Sequence, residues 1–109
     1  MPSGWIKRAT REALYQSDSH RCIYCGGEAS DGNPLTLDHL TPQVLGGDHD
    51  PRNLVTACLS CNSARQETSV KRFIIRLAKQ GHDAAAIAHR IRLAVRRHAA
   101  LAARLEVVA

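Results

Sequence analysis

Two Cys-x-x-Cys pairs, Cys22/Cys25 and Cys58/Cys61, constrain this chain more than any other feature, because residues 26–57 must fold between them. Four soft ligands presented from two tight turns suit a tetrahedral ion without a redox role, and zinc fits that set best. A rubredoxin-like iron site or two disulfides would use the same residues and stay open on spacing alone. The chain has 109 residues, enough for one compact domain, and 4% aromatic residues, so its core must rest on Ala, Leu, Ile and Val. Such a core gains from a staple, and a structural zinc can contribute roughly 10 to 16 kcal/mol of apparent folding free energy.

Around the cysteines the residue pattern predicts short elements. Lys7 to Gln16 reads as a helix, with Ala9, Ala13 and Leu14 on one side. Cys22-Ile23-Tyr24-Cys25-Gly26-Gly27 has the form of a metal knuckle, with glycines relieving the backbone beside converging thiolates. Leu35 to Leu40 alternates as a strand that ends in an acid and a histidine. Thr41 to Arg52 is rich in Pro, Gly and Asp and reads as a loop. Asn53 to Ala57 supplies a second strand, and a helix is expected from Asn62 to Gln66.

Further on, Val70, Phe73, Ile74, Leu77 and Ala78 keep a helical rhythm between a starting Ser69 and a stopping Gly81. Asp83 can cap a last helix in which Ile87, Ile91, Ala94, Val95, Ala102 and Leu105 form an apolar stripe. His98 falls on that stripe and is expected to be packed there, while Arg90, Arg92, Arg96, Arg97 and Arg104 occupy the other side. His20, His49, His82 and His89 read as solvated.

With these elements placed, Cys22-x-x-Cys25, Leu37-Asp38-His39, Gly46-Gly47, Asn53-Leu54-Val55 and Cys58-x-x-Cys61-Asn62 together resemble the HNH endonuclease family. The resemblance covers about residues 21–66. It implies an α+β fold: a small ββα-metal core stapled by a four-cysteine zinc site, with one helix before it and two after. The division expected is residues 1–20 as a helical lead-in, 21–66 as the nuclease core and 67–109 as a basic helical extension of the same domain.

The residues themselves suit phosphodiester hydrolysis, which needs a water deprotonated and phosphate charge stabilised. His39, with an ordinary pKa of about 6.5, can act as the general base. Asp38, adjacent in the strand, can hold a divalent ion with Asn62, and Mg²⁺ requires few protein oxygens. The resemblance implies further that Mn²⁺ or another divalent ion can replace Mg²⁺, that Asn53 orients the loop and the histidine, and that the products carry a 5′-phosphate and a 3′-hydroxyl. Asn62 stands where the family signature has a second histidine, giving an H-N-N variant. The loop after Asp38-His39 lacks the basic residues many relatives carry there, while Arg65 stands where relatives often have lysine and is expected to contact phosphate.

Charge supports a polyanion partner. The chain carries 15 Lys and Arg against 10 Asp and Glu, and the excess lies after residue 65. Lys71, Arg72, Arg92 and Arg96 are accordingly expected to contact DNA with Arg65. A non-catalytic zinc-stapled module that binds nucleic acid is the alternative on these features. A phage or bacterial DNA-processing protein is the protein partner to be expected. No apolar run approaches the length of a membrane helix, and Met1 to Leu14 has no apolar block behind Lys7, Arg8 and Arg11, so a cytoplasmic location without membrane contact is expected.

Overall fold

A computed structural model describes residues 6–108; residues 1–5 of the expected lead-in and residue 109 of the extension lie outside the described residues. The elements are α1 (Arg8–Ser17), β1 (Leu35–His39), β2 (Leu54–Cys58), α2 (Leu59–Arg65), α3 (Val70–Lys79) and α4 (Ala84–Val108). The strands pair antiparallel, from Leu35 opposite Cys58 to His39 opposite Leu54. Since α2 follows β2 without a break, strand, strand and helix form one unit of the expected α+β class.

β2 is buried at every residue because both of its faces are covered. Leu54 packs with Leu14 of α1 and Leu37 of β1. Val55 and Ala57, two apart and therefore on one face, join Cys22, Ile23 and Tyr24 of the knuckle with Phe73, Leu77, Ile87, Ile91 and Ala94 from α3 and α4. Tyr24 and Phe73 meet edge to face, with centroids 4.9 Å apart. The two C-terminal helices therefore complete the core beneath the cysteines.

Local chemistry explains the helix starts. Ser69 Oγ accepts from the Arg72 amide at 3.2 Å and Asp83 Oδ1 from the Ala86 amide at 3.0 Å. Gly81, at φ 97°, turns the chain between α3 and α4. α2 begins at Leu59, earlier than the expected Asn62, because Cys58 Sγ accepts from the Cys61 amide and caps it. Asn62 thus lies inside the helix. The long loop holds two single 3₁₀ turns, Gln43–Leu45 and Pro51–Asn53, and α4 packs against the second.

The basic side of α4 is divided. Arg90 reaches inward and donates to the carbonyls of Ile23 and Tyr24 at 3.2 and 2.9 Å, tying the helix to the knuckle. Arg97 donates to Asp18 Oδ1 at 3.0 Å. His98 is fully buried, with Nδ1 2.7 Å from the Leu54 carbonyl and Nε2 2.9 Å from Asp18 Oδ1. Asp18 Oδ2 accepts from the Thr56 amide at 3.0 Å, so this acid joins α1, β2 and α4. Burial pushes the Asp18 carboxyl up, but the His98 hydrogen bond and charge, with the Thr56 amide, outweigh it and hold it below the usual carboxylate value.

Candidate active site

The ligand sulfurs of Cys22, Cys25, Cys58 and Cys61 all lie within 4.8 Å of one another. Cys25 Sγ and Cys58 Sγ are 3.9 Å apart, close to the separation of about 3.8 Å that two sulfurs each about 2.3 Å from a tetrahedral zinc would have. Backbone amides of Cys25, Gly27 and Cys61 point at Cys22, Cys25 and Cys58 Sγ at 3.5, 3.4 and 3.4 Å, which favours thiolates. Four sulfurs this close cannot all be anionic without a cation. The hydrogen bond with Cys61 lowers the Cys22 thiol to about 4, and the same contact drives Cys61 up. The donor set and its spacing fit a structural zinc.

One residue carries that knuckle into the neighbouring cleft. Tyr24, fully buried between Cys22 and Cys25, donates its hydroxyl to Asp38 Oδ2. Burial, followed by the charge of Asp38, keeps the hydroxyl protonated by raising its pKa. Arg65 Nη1 donates to the same Oδ2 at 2.7 Å. The carboxylate is 5% exposed, and Oδ1 accepts no hydrogen bond among the described residues. One oxygen is thus clamped and the other left available.

Arg65 departs from expectation. Its side chain is 0% exposed, and its other donors go to the carbonyls of His39, Leu40 and Thr68 at 2.7, 2.7 and 3.0 Å. Enclosed in this way it cannot reach a phosphate on the surface. It instead fixes the end of β1, where the two residues beyond Asp38 present their carbonyls to one planar guanidinium.

Asp38, His39 and Asn62 line one cleft of about 210 Å³, with Pro42, Gln43, Val44, Gln66 and Glu67. Asn62 Nδ2 donates to Thr36 Oγ1 at 2.9 Å and approaches the Leu37 carbonyl at 3.3 Å. A carbonyl can only accept, and Thr36 Oγ1 gives its own proton to the Ala57 carbonyl, so the orientation of the amide is fixed. Its Oδ1 is left without a partner among the described residues. Burial, then the charge of His49, hold the His39 imidazole below its usual pKa against the opposing pull of Asp38, favouring the neutral ring.

Asn53 closes the loop over this cleft. Its Oδ1 accepts from the Thr41 amide at 2.8 Å, while Nδ2 donates to the carbonyls of Thr41 and Asp48 at 3.1 and 2.9 Å. Gly47 fills the remaining space: a Cβ there would lie 1.7 Å from the Thr41 carbonyl oxygen. The loop consequently places His49 Nδ1 2.8 Å from His39 Nε2, a neighbour that sequence reasoning left in solvent. His20, His82 and His89 are exposed.

Residues 22–68 match the family model described as HNH endonuclease. This segment is an HNH endonuclease domain. No curated protein and no solved structure matches the chain. The match takes in all four cysteines and every residue lining the HNH cleft, and stops before α3.

Beyond the HNH domain, Lys71, Arg72, Arg92 and Arg96 are all exposed. Arg72 lies beside the loop between β1 and β2, sharing a hollow with Leu40, Thr41 and Leu45. Lys71 and Arg92 flank an apolar groove between α3 and α4 instead, and Arg96 follows Arg92 one turn along α4. None of the four lines the cleft of Asp38 and His39. No described helix is long and apolar enough to cross a membrane.

Proposed function

We propose that this protein is a metal-dependent DNA endonuclease in which His39 is the general base and Asp38 and Asn62 hold one divalent ion. The observation that carries this reading is the set of atoms left without protein partners in one cleft. Asp38 Oδ1, Asn62 Oδ1 and His39 Nδ1 make no hydrogen bond among the described residues, although every neighbouring polar group in the clamp is satisfied. An accessible oxygen of a largely buried carboxylate and an amide oxygen suit a hard cation such as Mg²⁺ or Mn²⁺.

Held there, such an ion would neutralise charge building on the phosphate and the departing oxygen. The residues of the chain do the rest. His39 takes a proton at Nδ1 from a water in line with the scissile bond; that water oxygen bonds to phosphorus as the bond from phosphorus to O3′ breaks. The products are a 5′-phosphate and, once the departing O3′ takes a proton from solvent water, a 3′-hydroxyl. Arg65 and Tyr24 hold Asp38 in one rotamer, so its free oxygen needs no rearrangement when charge develops. Asn53 keeps the loop closed over the histidine. Arg72, next to the loop, with Lys71, Arg92 and Arg96, would track the phosphate backbone.

Cleavage of supercoiled plasmid by zinc-loaded wild type and His39→Ala, with Mg²⁺, Mn²⁺ or EDTA, tests the reading. Nicked or linear product from wild type alone, and only with a divalent ion, is the expected result. A folded wild type that shifts DNA in a gel yet cuts neither plasmid nor branched DNA with either ion would instead identify a binding module.

A further inference from the structure

The chemistry above gives His49 no task, yet its ring is placed against the proposed base. The two imidazoles meet at 64° with centroids 4.9 Å apart, and His39 Nε2 lies 2.8 Å from His49 Nδ1, a hydrogen bond that either nitrogen could donate. Behind them, His49 Nε2 lies 3.2 Å from Gln43 Nε2, the amide nitrogen, which can only donate. Three side chains thus form a line from the loop surface to the cleft.

A neutral imidazole carries one proton, so this line has two possible senses. In one, His49 Nδ1–H donates to His39 Nε2, and His39 must keep its own proton on Nδ1. That nitrogen could then take nothing from a water. In the other, His39 Nε2–H donates to His49 Nδ1, the His49 proton sits on Nε2, and the Gln43 amide accepts it once turned over to present its oxygen in place of Nε2. Half a turn of the Gln43 amide exchanges its oxygen and nitrogen and selects between the two senses.

We propose that His49, backed by Gln43, is a positioning residue that holds neutral His39 in its Nε2–H form and so keeps Nδ1 bare toward the cleft. This rests on the reading of His39 as general base. The loop is built to deliver it: Asn53 Nδ2 grips the carbonyl of Asp48, the residue before His49, and the Gly47 contact with Thr41 allows no slack. When His39 takes up a proton at Nδ1, the bond from Nε2 to His49 is already made, and no partner has to be recruited.

The test uses zinc-loaded wild type, His49→Leu and His49→Asn. Asparagine puts an acceptor oxygen the same number of bonds from Cβ as Nδ1, whereas leucine removes the acceptor. In ¹⁵N NMR spectra at about pH 8, where imidazoles are mostly neutral, wild type should show His39 protonated at Nε2 with scalar coupling across the bond to His49. His49→Asn should keep that tautomer, and His49→Leu should show a mixture. In plasmid cleavage, His49→Leu should lower kcat about 10- to 100-fold with KM unchanged, and His49→Asn should recover most of it. A wild-type His39 protonated at Nδ1, or a His49→Leu variant with full kcat beside an inactive His39→Ala, would overturn the proposal. If wild type cuts no DNA with any divalent ion, the general-base reading fails by itself, and the tautomer found by NMR still decides whether His49 holds His39 as described.

Discussion

Two buried carboxylates stand on either side of β2, and their surroundings differ in one respect. Asp18 has both oxygens satisfied, Oδ1 by His98 and Arg97 and Oδ2 by the Thr56 amide. Asp38 has Oδ2 doubly satisfied by Tyr24 and Arg65 and Oδ1 by nothing among the described residues. Both acids are removed from water, so the desolvation cost is common to them. What separates a joint of the fold from a candidate chemical site is therefore the number of lone pairs the protein leaves unfilled, and burial alone does not tell them apart.

The largest expected effect removes the setting of both. Stripping the metal with a chelator, or replacing Cys58 by Ser, should unfold the chain, since structural zinc contributes roughly 10 kcal/mol or more. Circular dichroism against bound zinc would follow this, and a chain that keeps its full helicity without metal would show that α3 and α4 carry the core themselves.

Next in size is the contrast between the acids. Asp18→Asn should lower stability by about 3 kcal/mol, because His98 and the Thr56 amide lose a buried anion. Asp38→Asn should instead abolish cleavage, by at least about 100-fold, in a chain that still binds zinc. Denaturant melts and plasmid assays on both variants would break the comparison if the two phenotypes were exchanged. Acid sharpens it. The Asp18 carboxyl is lowered in the folded state, so its stabilisation is present above the ordinary carboxylate pKa of 3.8 and is lost as pH falls below that toward the folded value. Wild-type melting temperature should drop over that range, and that part of the drop should be missing in Asp18→Asn.

A smaller effect is expected at the loop. Gly47→Ala drives a methyl into the Thr41 carbonyl and should cost about 1 to 3 kcal/mol of local strain, read as reduced cleavage with zinc content unchanged. Smallest, charge reversal at Arg92 and Arg96 should reduce the slope of log affinity against log salt by about 2. Filter binding across salt concentrations measures this, and an unchanged slope would leave α4 out of the DNA interface.

Legibility in the sequence followed the range of the forces involved. The knuckles, both strands, the Ser69 and Asp83 caps and the Gly81 turn are written in residues a few positions apart, and periodicity and spacing suffice to read them. That Asp38, His39 and Asn62 meet in one cleft is legible because their places in the sequence signature sit beside the two cysteine pairs. Arg65 is not: an arginine in the last turn of a helix normally faces water, and only the Asp38 carboxylate with the three carbonyls gathered around it by the end of β1 and by Thr68 gives it a buried place. Tyr24 reads as part of the knuckle, and nothing local ties it to an acid fourteen positions away. His49 looked like a solvated loop residue because its partner is fixed by the fold of the loop. Arg90 and Arg97 sit on the polar side of the helical wheel, but the knuckle and Asp18 reach out to meet them.

The loop between β1 and β2 also divides the freedom to vary. At its base, Asn53 with three hydrogen bonds and Gly47 with no room for a side chain tolerate almost no exchange. At its tip, Val44 and Leu45 are 68% and 71% exposed, Val44 at the rim of the cleft and Leu45 in the hollow beside it. Under the proposed function, exchanges at this tip would rewrite the surface offered to a DNA strand while leaving the histidine beneath it in place, which makes the tip the part of the loop where specificity could change without loss of the site.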